Sequence, residues 1–176
     1  MRLPPLPAEQ WDENARAALA VLLPEHLLNP RGAGNALATL VRHPRLTKRF
    51  LPFSGYLMMR STLPDRLREL AILRVARRRG CAYEWTEHVK LATEAGLSPD
   101  EIDAAGRGEA GGALEAAVLA AVDELERDSG ICDRTWAALG EHLDERQLMD
   151  LVFTVGTYAM LAMAFNTFGV EPDKER

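Results

Sequence analysis

The chain has 176 residues, 47% hydrophobic and 27% charged, with a formal net charge of −5. That is the balance of a globular protein long enough to bury a core, organised as one domain or one domain with extensions. The one basic run, Arg77-Arg78-Arg79, falls at a predicted helix end, where cations complement the helix dipole, so the composition argues against nucleic acid as a partner.

The N-terminal part is punctuated by Pro4, Pro5, Pro7, Pro24 and Pro30. Trp11, Ala15, Ala18 and Leu22 recur at helical spacing and predict a helix over Glu9 to Leu23. Gly32-Ala33-Gly34-Asn35 predicts a loop, with Asn35 capping a helix from Ala36 to about Arg42. Pro44 suits the first turn of a helix running to about Met59. In the next helix Ser61 or Thr62 is the expected cap, Pro64 and Asp65 form the first turn, and Gly80 is the stop. Within it Glu69 shares a stripe with Ile72, Leu73 and Ala76, away from the side holding Arg66, Arg74 and Arg77. A carboxylate there needs a partner or a function.

A further helix is predicted over Ala82 to Ala95, ending at Gly96. Ser98-Pro99-Asp100-Glu101 reads as a capping box with proline in the first turn. Gly106 to Gly112 is a predicted loop, Ala113 to Asp128 an amphipathic helix closed by Ser129-Gly130, and Asp133 the expected cap of a short helix to Leu139. The last helix is predicted over about Asp144 to Phe168, closed by Gly169, with Glu171 to Arg176 as a frayed tail. No strand-like alternation of useful length and no fixed-period repeat appear. The fold class is therefore all-α, with about eight helices in a single domain over residues 1–176, of which 1–34 form an N-terminal extension and 35–170 the core.

Leu151 to Phe168 contains no charged residue and approaches the length of a membrane span. Thr154, Gly156, Thr157, Tyr158 and Asn166 interrupt it, and no second apolar span exists. A helix buried in the core or between subunits is the preferred reading, with no membrane partner. Met1-Arg2-Leu3-Pro4-Pro5 lacks the apolar core of a signal peptide, and Cys81 and Cys132 are too few for a secreted disulfide framework. The expected location is cytoplasmic. The cysteines read as free thiols or as one long-range pair.

The most specific stretch is Cys81-Ala82-Tyr83-Glu84-Trp85-Thr86-Glu87-His88. On a helix, Cys81, Glu84 and His88 fall at i, i+3 and i+7, on one side. A thiol, an acid and an imidazole on one stripe can pass protons or support thiol chemistry. The plainer alternative is an i,i+4 ion pair between Glu84 and His88 on a half-exposed helix. Cys81 after Gly80 at a helix start has a route to a lowered pKa, against the alternative of a small buried residue. Tyr83 and Trp85 read as pocket walls or core. No second His/Cys cluster stands at ligand spacing, so neither a metal nor a cofactor is expected.

Arg68-Glu69-Leu70-Ala71-Ile72-Leu73-Arg74, the segment Gly80 to His88, and Ala95-Gly96-Leu97-Ser98-Pro99-Asp100-Glu101-Ile102 resemble the carboxymuconolactone decarboxylase family. That family includes AhpD, the thiol peroxidase partner of alkyl hydroperoxide reductase. The resemblance implies an AhpD-like all-α fold assembled as a homo-oligomer, a trimer or hexamer before a dimer, acting on a small molecule. The thiol branch of the family carries Cys-x-x-Cys-x-x-x-His with an upstream Glu. Glu69 matches that Glu, Cys81 the first Cys and His88 the His, while Tyr83 stands at the place of a relay His. Glu84 stands where the second Cys would be, so a local disulfide cycle cannot run. The expected catalytic set is Glu69, Cys81, Glu84 and His88, with Tyr83 and Trp85 binding substrate. The expected activity is a decarboxylase-like proton relay on a small organic substrate. The alternatives are a thiol peroxidase using Cys81 with an external or distant resolving thiol, and a non-catalytic oligomeric ligand-binding module.

Overall fold

The computed structural model describes residues 1–174, and these form nine α-helices, two short 3-10 turns and no strand. The all-α class holds, with one helix more than expected. In order they are α1 (Glu13–Leu19), α2 (Pro30–Leu40), α3 (Pro44–Met59), α4 (Asp65–Arg78), α5 (Ala82–Glu94), α6 (Pro99–Arg107), α7 (Ala113–Asp128), α8 (Asp133–Gly140) and α9 (Glu145–Phe168). The chain divides into two compact units: Met1–Arg60 with the residues from Ala164 onward, and Ser61–Met163.

The first unit is built on Leu6, Trp11, Ala15, Leu19, Val41 and Leu51. The indole of Trp11 donates to the Leu6 carbonyl at 2.9 Å, which satisfies its one polar atom inside that core. The predicted helix from Glu9 to Leu23 is shorter here. Asp12 caps α1 by accepting from the Ala15 N–H, and a turn follows Leu19.

The predicted loop at Gly32 to Asn35 is instead part of α2. Asn29 caps that helix from outside the glycine cluster, accepting from Gly32 N–H at 2.9 Å, and Pro30 starts it. The break is confined to Gly34, at φ 71° and ψ 175°, a region open essentially to glycine. Beyond it the Asp173 carboxylate accepts from Asn35 N–H at 2.7 Å, capping the second half of the helix from the C-terminal segment. Asn35 Nδ2 in turn donates to the carbonyls of Glu171 and Pro172. As far as Asp173 the segment expected to fray is therefore tied down, and its last two residues lie outside those described.

In the second unit α4 packs against α5, α6 and α7. All of Leu67 to Leu73, with Val75 and Ala76, is buried. Its outer arginines hold neighbouring helices: Arg74 and Arg78 pair with Asp123 of α7, and Arg79 pairs with Glu126. The expected Ser61 or Thr62 cap does not form. Both hydroxyls donate to the buried Asp150 of α9, at 3.1 and 2.8 Å, and Pro64 occupies the cap position with no side-chain bond. Asp133 is likewise the first residue of α8, with Cys132 at the cap position. The Ser98–Glu101 capping box and the limits of α3 and α7 are as predicted.

Helix α9 has the length and composition of a membrane span, yet 61% of its apolar window is buried within the protein. It is not apolar and covered all round, because Met149, Met160 and Met163 are about half exposed along one face.

Replacing Gly34 by Ala places a methyl 2.4 Å from Asp173 Oδ2 in a backbone region L-residues avoid. We expect Gly34→Ala to lower stability by about 2–3 kcal/mol, read as a lower urea midpoint at unchanged slope.

Candidate functional site

Helix α4 supplies Glu69 and Arg68, α5 supplies Glu84 and His88, and Cys81 is the residue at the start of α5. The predicted stripe on α5 exists and faces inward: Cys81 is 1% exposed, Glu84 2% and His88 6%. Glu69 is 0% exposed, facing them from α4.

The plain i,i+4 pair between Glu84 and His88 is not what forms. His88 Nδ1 donates across to Glu69 Oε2 at 2.7 Å, and Arg68 Nε donates to Glu69 Oε1 at 3.0 Å. Arg68 is itself anchored by Asp65, 2.6 Å from Nη1. In the tautomer that donates from Nδ1 to Glu69, Nε2 is the ring's free acceptor. The His88 ring meets Tyr158 edge-to-face, centroids 4.8 Å apart at 88°. Burial first, then the negative charges of Glu69 and Glu84, push the Tyr158 phenol far above its ordinary range, so it remains a neutral O–H. Arg68 and Tyr158 belong to this cluster although the sequence did not single them out. Tyr158 is one of several polar side chains that interrupt the apolar run of α9, and nothing in the pattern sets it apart from them.

Glu84 is the opposite case. Neither of its carboxyl oxygens meets a hydrogen-bond partner of normal geometry among the described residues. Burial raises its pKa from 4.5 to about 8, and the weak donor Cys81 and the Arg79 charge offset only part of that. The Cys81 thiol is pushed up to about 12, by burial first and the Glu84 charge second. The N–H groups of Glu84 and Tyr83 oppose this, as expected at a helix start, but they lose. The expectation of a lowered Cys81 pKa is therefore overturned. Both cysteines are free: Cys81 is buried, whereas Cys132 is exposed, its Sγ donating to Glu124 at 3.3 Å.

Beside the cluster lies an open depression of about 400 Å³, lined by Ala76, Arg77, Gly80, Cys81, Ala82, Trp85 and Thr86. Of the predicted catalytic residues only Cys81 reaches its wall. Of the two predicted binding residues, Trp85 lines it and Tyr83 does not.

Residues 44–127 match the Carboxymuconolactone decarboxylase family. The match covers a little under half of the chain, and the all-α fold is the AhpD-like one. A peroxidase-related protein from Ralstonia eutropha with an alkylhydroperoxidase AhpD core has a TM-score of 0.80 at 16% identity, covering 99% of this chain and 94% of its own. A peroxidase-related protein from a Silicibacter species gives 0.72 at 18% identity, covering 98% and 91%. A protein of unknown function from Agrobacterium tumefaciens gives 0.68 at 21% identity, covering 76% and 94%. At these identities the likeness shows the fold. None of the curated proteins matches the chain in sequence.

Glu84 binds a proton more tightly in the folded protein than in the unfolded chain. Its contribution to stability is full below about pH 4.5 and is lost as the pH rises to about 8. Over that window stability should fall by up to about 1.4 kcal/mol per pH unit from this group. In Glu84→Gln that component vanishes, which parallel urea melts of both proteins from pH 5 to 9 will read as a flatter profile.

Proposed function

We propose that this protein is a decarboxylase-like enzyme of its family that moves protons on a small organic substrate. The observation that carries the reading is the split between two buried carboxyl groups. Glu69 is held by Arg68 and His88, while Glu84 has no such donors and keeps its proton to about pH 8. Groups whose environments separate them in this way divide acid and base roles.

In this reading His88 is the base. Its Nε2 takes a proton from the substrate, and Glu69 stabilises the imidazolium that results. Arg68, bonded to Glu69, and Tyr158, packed against the His88 ring, position the pair. Glu84, as a neutral acid, returns a proton to the electron pair left on carbon when a carboxylate departs as carbon dioxide or when a double bond shifts. Cys81 forms part of the wall between this cluster and the open depression. The occupant we propose for the half-exposed methionine face of α9 is a second copy of the chain.

Glu69→Gln removes the charge that supports His88 and should lower kcat by about 10³-fold or more on any substrate found in a screen of small lactones and keto acids. Glu84→Gln should lower the rate below about pH 8 and remove the alkaline decline of the pH–rate profile, since the amide has no proton to give at any pH. Full activity of Glu69→Gln would remove the central claim.

The placement of Cys81 on the depression favours one second reading, a thiol peroxidase served by an external thiol. It requires a thiolate near neutral pH, which the pKa of about 12 opposes. Iodoacetamide at pH 8 should therefore alkylate Cys132 in the native protein and spare Cys81, as followed by peptide mass spectrometry. Rapid labelling of Cys81 with a midpoint below pH 7 would restore the peroxidase reading.

A further inference from the structure

Six arginines lie between Arg66 and Arg79, and five are ion-paired with carboxylates of α4, α6 and α7. Arg77 has no carboxylate partner among the described residues. Its guanidinium lies over the Trp85 ring instead, 5.2 Å from the centroid. The indole is fixed in turn by Gly106 of α6: a methyl on that glycine would stand 2.9 Å from the ring's Cη2. The cation is thus presented on a rigid aromatic support rather than neutralised.

The pair stands on the wall of the depression of about 400 Å³. Among the lining residues Arg77 is the sole charged side chain, and the others are apolar apart from the Thr86 hydroxyl and the Cys81 thiol. A second concavity of about 310 Å³ shares Arg77 and Trp85 but also carries Asp103 and Arg107, so an acidic side chain stands beside its cations and its wall is less apolar. In a chain of net charge −5, long-range attraction does not bring an anion here. Recognition has to come from the wall itself.

We propose that this depression is a binding site for a small organic carboxylate. Arg77 offers paired N–H groups in the plane that a carboxylate accepts, and Ala76, Ala82 and Trp85 take the hydrocarbon part. One guanidinium on an apolar wall suits a monoanion with a carbon skeleton better than phosphate, which needs more donors. The volume falls within the range of small-molecule sites. Identifying this anion with the substrate rests on the acid/base reading above; the binding site itself does not.

Benzoate is a suitable probe, with benzamide as its neutral counterpart and inorganic phosphate as the competing anion. Titration is followed by the Trp85 indole N–H signal in heteronuclear NMR, assigned by its loss in Trp85→Phe. Benzoate should shift the signal saturably. The exposed Arg77→Gln change should weaken binding at least tenfold while the rest of the spectrum stays unchanged, and benzamide and phosphate should bind at least tenfold more weakly. Equal affinity in Arg77→Gln, equal binding of benzamide, tighter binding of phosphate, or no saturable shift each overturns the site. Glu69→Gln separates the two claims. Benzoate bound by an inactive variant supports both, and benzoate bound by a fully active variant keeps the site and removes the acid/base reading.

Discussion

A carboxylate taken completely out of water must be given donors, and Glu69 is given two. The imidazole of α5 and the guanidinium of its own neighbour on α4 close on it from different sides. This requirement ties α5 to α4, because moving either helix by an ångström would take away the His88 donor and leave the buried Glu69 with Arg68 alone. The remaining polar choices in the second unit follow. Asp65 holds Arg68, and the Tyr158 and His88 rings meet edge-to-face. Glu84, close enough for its charge to affect both Cys81 and Tyr158, is left without equivalent donors. Two carboxyl groups in one dry region do not ionise together cheaply, and the one without donors keeps the proton.

What the sequence reveals and what it hides divides along chain distance. The Ser98–Glu101 capping box, the limits of α3 and α7, and the inward stripe of Cys81, Glu84 and His88 are written in residues three to seven apart. Local geometry alone decides them. The cap for the second half of α2 comes instead from Asp173, and the hydroxyls expected to cap α4 turn to Asp150. Both involve partners 88 to 138 positions away. Asn29 was missed for a different reason. A glycine-rich stretch reads as a loop, yet only Gly34 leaves helical geometry, and one glycine is enough to make the kink. Within the site, the place of Glu69 on an apolar stripe marks it as a carboxylate in need of a partner, and the structure buries it with two. The partner of His88 was not legible, because an adjacent carboxylate four residues away offered a simpler pairing.

Cys81 shows how magnitudes decide between two sound arguments. A thiol at a helix start receives backbone N–H groups that favour the thiolate, and here the N–H groups of Tyr83 and Glu84 do so. That stabilisation is local and modest. Burial to 1% exposure, with a carboxyl group facing the sulfur, acts in the opposite direction and is larger. The carboxylate at position 84 therefore does two things, at the place where the thiol branch of the family that the sequence resembles has a second cysteine. It removes the partner for a local disulfide, and it makes the remaining thiol a poorer nucleophile. A residue change that looked like the loss of one function also alters the chemistry of what is left.

Helix α5 presents two different chemistries on two sides. Its inner stripe carries the thiol, the neutral acid and the imidazole, sealed from solvent, while Ala82, Trp85 and Thr86 look onto the open depression. Cys81 belongs to both, since it faces Glu84 on one side and the depression on the other. A ligand seated by Arg77 and Trp85 would therefore be close to the acid/base cluster without touching it. Reaching His88 or Glu84 requires the first turn of α5 to move. That turn has no side-chain cap, and it is held by the burial of Cys81 and Glu84 and by the bond from Cys81 N–H to the Ala76 carbonyl. In the proposed reading, the carboxylate site at the outer face and the acid/base cluster at the inner face are separated by a single helical turn.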